Sequence, residues 1–168
     1  SQGLASWFNE HTQVKATSAH NRHAPSTSRY LPGGTGLIAF HELIQSVRSS
    51  NNDFRGLGRW TSWRVFNDPR HVTRVVMAYS VGKSKPQGLK TTYQQQLQYI
   101  QMRNRDTNPR RMFETDFHAV LRVWRSQGER LLIFMDANEH VLTGKFCRRL
   151  LDDPMLHLQE ATHRYWGK

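Results

Sequence analysis

A helix that runs directly into an apolar strand leaves a chain few folds to choose from, and residues 108–140, "NPRRMFETDFHAVLRVWRSQGERLLIFMDANEH", read that way. Asn108 can cap the helix, and Pro109 suits its first turn, where a missing N–H costs nothing. Phe113, Phe117, Val120, Leu121 and Trp124 recur at helical spacing and make one apolar face, which Gly128 ends. The run "ERLLIFMD" then reads as a core strand. A sheet with helices packed on it follows: an α/β chain.

The rest of the chain fits that class. Residues 1–32 are polar and rich in His, Ser and Thr, with one short helix expected near Leu4, Trp7 and Phe8. "RYLPGG" reads as a turn and "TGLIAF" as a short buried strand. Gly33 and Gly34 of "PGGTG" read as structural glycines that let the chain enter a crowded strand, because the P-loop spacing and Lys are missing. "NNDFRGLG" is a loop. "RWTSWRVF" and "HVTRVVMAYSV" are strands joined by the tight turn "NDPR", which makes them an antiparallel pair and the sheets mixed. A basic loop, "GKSKPQGLK", leads to a helix with Tyr93, Leu97 and Ile100 on its apolar side. "TGKFCRRLLDDP" supplies a last short helix carrying Phe146, Leu150 and Leu151, ended before Pro154.

One domain is expected from 168 residues, and 37% hydrophobic content with five Trp excludes a disordered chain. No apolar run is long enough to span a bilayer, and the first residues lack the pattern of a signal peptide. The single Cys147 rules out an internal disulfide framework and a cysteine-based zinc site, so a reducing, intracellular compartment is the default expectation. The net charge of +11 must lie mostly on the surface, where it attracts polyanions, nucleic acid foremost. Arg59, Lys83, Lys85, Arg103 and Arg105 are the candidate phosphate contacts, with Arg110 and Arg111 beside them.

Chemistry concentrates at "DANEH". Asp136 and Asn138 end the apolar strand, where α/β sheets commonly hold ligands. A carboxylate there can bind a hard cation, orient a water or accept its proton. An adjacent amide can donate to a phosphoryl oxygen without adding negative charge. Asp-x-Asn is equally an ordinary turn signal. Tyr79 ends the preceding long strand and reaches the same place if strands 71–81 and 131–136 are neighbours with aligned ends. The nine His form no convincing metal set, and no G-x-S-x-G elbow accompanies a nucleophile.

Taken in order, "PGGTG", "GRWTSWRV", "VTRVVMAYSV" and "LLIFMDANEH" resemble the endonuclease/exonuclease/phosphatase superfamily, which includes DNase I-like nucleases. "YQQQLQYIQMRNRDTNPRRMF" is most similar to the retroelement-type branch. The resemblance spans about residues 30–140. It implies a four-layer αββα sandwich of mixed sheets and Mg²⁺- or Mn²⁺-dependent hydrolysis of phosphate esters. It also implies Asp136 as a metal ligand, Asp136 and Asn138 as the pair acting on water and scissile phosphate, and Tyr79 as a hydrogen-bond donor to that phosphate. The implied partner is nucleic acid, DNA in particular, with a linked reverse-transcriptase domain.

The chain also departs from the family pattern. Nothing before Gly33 matches the usual Gln-Glu pair, and no Ser-Asp-His segment closes the chain at "HRYWGK". Met135 stands where Gly is common, and Val81 where Pro often follows the tyrosine. A middle fragment of the domain, lacking its first strand and its C-terminal strands, is the expectation, with little turnover by these 168 residues alone. Two alternatives stand beside the endonuclease: a non-catalytic, basic nucleic-acid-binding or structural module on the same fold, and a phosphatase of a small phosphorylated substrate.

Overall fold

A computed structural model describes residues 13–24, 33–68, 71–82, 91–103 and 105–161. Strands β1 (Val14–Ala19) and β2 (Thr35–Phe40) form a small antiparallel sheet. A single helical turn, α1 (Leu43–Ser46), leads into β3 (Val47–Asn52), followed by β4 (Trp60–Asp68) and β5 (His71–Tyr79). Helices α2 (Thr92–Gln101) and α3 (Pro109–Ser126) precede β6 (Arg130–Asp136), and α4 (Lys145–Leu151) ends the order. The larger sheet runs β3-β4-β5-β6, antiparallel at its first two junctions and parallel between β5 and β6. The chain is thus mixed α/β, with the expected hairpin of β4 and β5.

Alternation along the strands separates two cores. On one face Trp60, Val76 and Ala78 meet Phe113, Phe117, Leu121 and Trp124 of α3 and Phe146 and Leu150 of α4. Each large side chain buried there contributes about 1.5–3 kcal/mol. On the other face Trp63, Val65 and Val47 pack against Ala39 and Leu37 of β2. Among the described residues this makes three layers: helices, the four-stranded sheet and the two-stranded sheet. The outer face of β2 presents Ile38 and Phe40, each 38% exposed.

Several expectations need correcting. β6 is an edge strand among the described residues, and its second face is open, with Leu132 47% and Phe134 49% exposed. The buried side of α2 is Gln95, Gln96, Tyr99 and Ile100 rather than Tyr93, Leu97 and Ile100. Its axis is turned so that the Gln95 side-chain oxygen accepts from Asn21 Nδ2 at 3.2 Å. Strands β1 and β3 carry too little hydrophobic contrast to be read in advance. Their polar side chains are satisfied across the fold instead. Lys15 Nζ donates to the Val47 carbonyl (3.1 Å), Trp63 Nε1 to Thr17 Oγ1 (2.9 Å), and Asn52 Nδ2 to the Ser18 carbonyl (3.2 Å). The expected helix near Leu4, Trp7 and Phe8 and the "NDPR" turn at Pro69 and Arg70 lie outside the described residues. Gly33 and Gly34 act as expected. Both have positive φ, and an added Cβ would stand 2.7 Å from Thr92 Oγ1 at the first and 2.9 Å from the Ala19 carbonyl at the second.

Candidate functional site

The parallel pairing of β5 with β6 puts Tyr79 in register with Asp136. Residues paired across a sheet point to the same face, so both side chains stand on the face opposite α3. The two-stranded sheet packs over β3, β4 and β5 and leaves the end of β6 uncovered, which is why Asp136 is exposed and Tyr79 only partly buried.

Asn138 ties the two strand ends together. Its φ of 48° turns the chain sharply, a conformation Asn tolerates better than most residues. Its backbone N–H donates to Asp136 Oδ1 at 3.0 Å, and its Nδ2 donates to the Ser80 carbonyl at 2.6 Å. Ser80 N–H in turn donates to the Asp136 carbonyl at 2.8 Å. The Asn138 amide oxygen lies over Gly82, where an added Cβ would be 3.3 Å away. Asp136 Oδ2 accepts no hydrogen bond among the described residues and is the free acceptor of the group. The Ser80 hydroxyl is buried with no partner among the described residues.

Arg110, in the first turn of α3, clamps the turn from below. It donates to the carbonyls of Asn138 (3.1 Å) and Ala137 (3.4 Å) and pairs with Glu139 Oε2 (3.0 Å). Glu139 Oε1 accepts from Cys147 N–H at 2.7 Å, so the start of α4 is fastened to the same turn. Burial, then the charge of Glu139, pushes the Cys147 thiol up to about 11, which keeps it protonated at neutral pH and removes it as a nucleophile. Arg110 and Glu139 carried no sequence signal as a clamp, since they meet only through tertiary contacts.

Of the expected phosphate contacts, Arg59 is overturned. It is 1% exposed, with its guanidinium bound to Asp53 Oδ2 (2.7 Å) and Asp116 Oδ2 (2.9 Å) and stacked 4.7 Å from the Trp60 ring centroid. An Arg so paired and desolvated belongs to the core and cannot meet a phosphate. Its backbone matters to the site all the same, because its carbonyl accepts from Tyr79 N–H at 2.9 Å. Lys83 and Lys85 lie outside the described residues. Arg103 and Arg105 are exposed, and Arg103 covers the Tyr99 ring at 3.8 Å.

Among the described residues no three His, Cys, Asp or Glu side chains stand together as a metal cage. Magnesium retains several waters and often takes only one or two carboxylates beside substrate phosphate. The free oxygen of Asp136 fits that minimal role, as one ligand. Among the described residues no helix is long and apolar enough to cross a membrane. Comparison of the chain with protein-family models, curated proteins and solved structures gave no match.

Proposed function

We propose that this chain carries part of the active centre of a metal-assisted nucleic-acid phosphodiesterase, an endonuclease of the endonuclease/exonuclease/phosphatase type that its motifs resemble. The observation that supports it is the registration of Tyr79 with Asp136 at adjacent strand ends, with Asn138 bridging them. In this reading Asp136 orients the attacking water through its free oxygen and takes its proton. Tyr79 donates to a non-bridging oxygen of the scissile phosphate, and Asn138 holds the two strand ends at fixed spacing. Mg²⁺ or Mn²⁺ held by Asp136 would supply charge neutralisation at the phosphate. The four-layer sandwich belongs to the same proposal, with a helical layer over the Ile38 and Phe40 face of β2. Further acidic and imidazole groups are required, from residues beyond those described around Asp136.

The test is nicking of supercoiled plasmid by the full-length protein with Mg²⁺. Asp136→Ala should reduce the rate by about 10²-fold or more, the usual contribution of a positioned general base. Activity within threefold of wild type would remove Asp136 from the mechanism.

A second reading is a basic nucleic-acid-binding module without turnover. The net charge of +11 is enough by itself to support it. Salt-sensitive DNA binding with no nicking by the full-length protein, in either metal, would select it.

A further inference from the structure

On the β3 side of the sheet a cleft of about 540 Å³ is lined by Arg22, His23, Ser50, Asn52, Phe54 and Arg55, with Asp53 and Gly56. We propose that this cleft binds one unstacked nucleotide of a single strand, by stacking on Phe54 and by pairing a phosphate with Arg22. The proposal rests on the nucleic-acid reading above and adds a second contact to it.

Three observations carry it. Phe54, 63% exposed, is the most exposed of the aromatic residues among the described large hydrophobics, yet its ring is held. It meets Trp60 edge-on at 5.7 Å, and the Arg55 guanidinium lies 5.1 Å from its centroid. A fixed, exposed ring has little entropy to lose on stacking, and only a base out of its own stack can offer it a face. Second, the cleft has the volume of a small-molecule site, enough for a nucleotide. Third, its acid is neutralised. Asp53 is bound by Arg59 and Arg55 by Asp116, whereas exposed Arg22 has no carboxylate partner among the described residues. Behind His23 stands Tyr99, its ring 4.7 Å from the imidazole and covered in turn by the Arg103 guanidinium. Exposed Ser50 adds a hydroxyl suited to a base edge.

The cleft is built rather than accidental. Gly56 and Gly58 have φ of 69° and 72°, and the chain at residues 20–23 lies directly on them. A Cβ at Gly58 would be 2.7 Å from His20 backbone atoms, and one at Gly56 would be 3.4 Å from Arg22 Cδ. Arg22 N–H donates to the Gly56 carbonyl at 2.8 Å, and His23 Nε2 is 2.9 Å from the Arg55 carbonyl. The loop between β3 and β4 also reaches the end of the sheet that holds Tyr79, through the Tyr79 N–H to Arg59 carbonyl bond. Three strand spacings, about 14 Å, separate β3 from β6.

The experiment is fluorescence anisotropy with a 5′-fluorescein-labelled ten-nucleotide oligo-dT, titrated with the full chain at several salt concentrations. Phe54→Ala should weaken binding about tenfold, in the range of one lost base stack. Phe54→Trp should keep the affinity and show quenched indole emission when oligo-dT is added. Arg22→Gln should lower the slope of log affinity against log salt by about 0.7. If oligo-dT binds but Phe54→Ala stays within twofold of wild type, or Phe54→Trp shows no quenching, the cleft proposal is overturned and the nuclease reading survives. If no oligo-dT binds even at low salt, the cleft proposal is overturned, and plasmid nicking decides the nuclease reading separately.

Discussion

Replacing Asp53 by Asn changes one atom and should cost the fold dearly. Both Asp53 oxygens are inside the protein and accept five hydrogen bonds. Oδ1 takes Arg55 N–H (3.0 Å) and Arg59 NH2 (2.8 Å), while Oδ2 takes Leu57 N–H (3.2 Å), Arg59 N–H (3.4 Å) and Arg59 Nε (2.7 Å). Asp53→Asn turns one oxygen into a donor facing other donors and removes the charge that compensates buried Arg59. Breaking a buried pair from one side costs about 3–5 kcal/mol. Arg59 keeps its 2.9 Å contact to Asp116, so the low end applies, about 3 kcal/mol. Against a total stability of about 5–15 kcal/mol this is a large fraction. For a domain of this size it corresponds to a fall in melting temperature of about 6–12 °C.

Urea unfolding followed by tryptophan emission reads this directly, because the Arg59 guanidinium lies over the Trp60 ring. The double variant Asp53→Asn/Arg59→Gln should lose less than the sum of the single losses, since the two groups act as one unit. A loss under about 1 kcal/mol for Asp53→Asn, or strict additivity in the cycle, would refute the claim that this pair organises the loop between β3 and β4.

Three shorter predictions follow. Arg110→Ala should leave the core intact but loosen the turn at Ala137–Glu139, seen as faster amide exchange at Asn138 and Glu139 with little change elsewhere. The same variant should lower the nicking rate of the full-length protein more than its DNA affinity. Asp136→Ala should cost no more than about 1 kcal/mol, the loss of its exposed hydrogen bond from Asn138 N–H, so that its activity loss is not an unfolding effect. Burial raises the Asp116 carboxyl, but the Arg55 hydrogen bond and the Arg59 charge outweigh it and hold the group below its usual range. Its stabilisation is then present above the unfolded value of about 3.9 and lost as pH falls through the lower folded value. The gap in urea midpoint between wild type and Asp116→Asn should narrow below about pH 4. A constant gap from pH 7 to 3 would contradict the sign.

Local chemistry was enough to determine several elements. Helix α3 was legible because its cap, its Pro, its apolar period and its terminal Gly all agree. β4, β5 and β6 were legible because their residues favour strands wherever they sit. Asp136, Asn138 and Tyr79 were placed at strand ends by the same local patterns. Only the tertiary structure decided that Tyr79 and Asp136 are in register, because register depends on which strands pair. It alone decided that Arg59 is a core residue, since its two carboxylate partners come from the preceding loop and from α3. β1 and β3 became strands through hydrogen bonds to distant residues, which no short window of sequence contains. The Arg110 clamp and the Phe54 cleft share that origin: each is assembled from segments far apart in the chain, and a sequence lists its residues without saying which of them will meet.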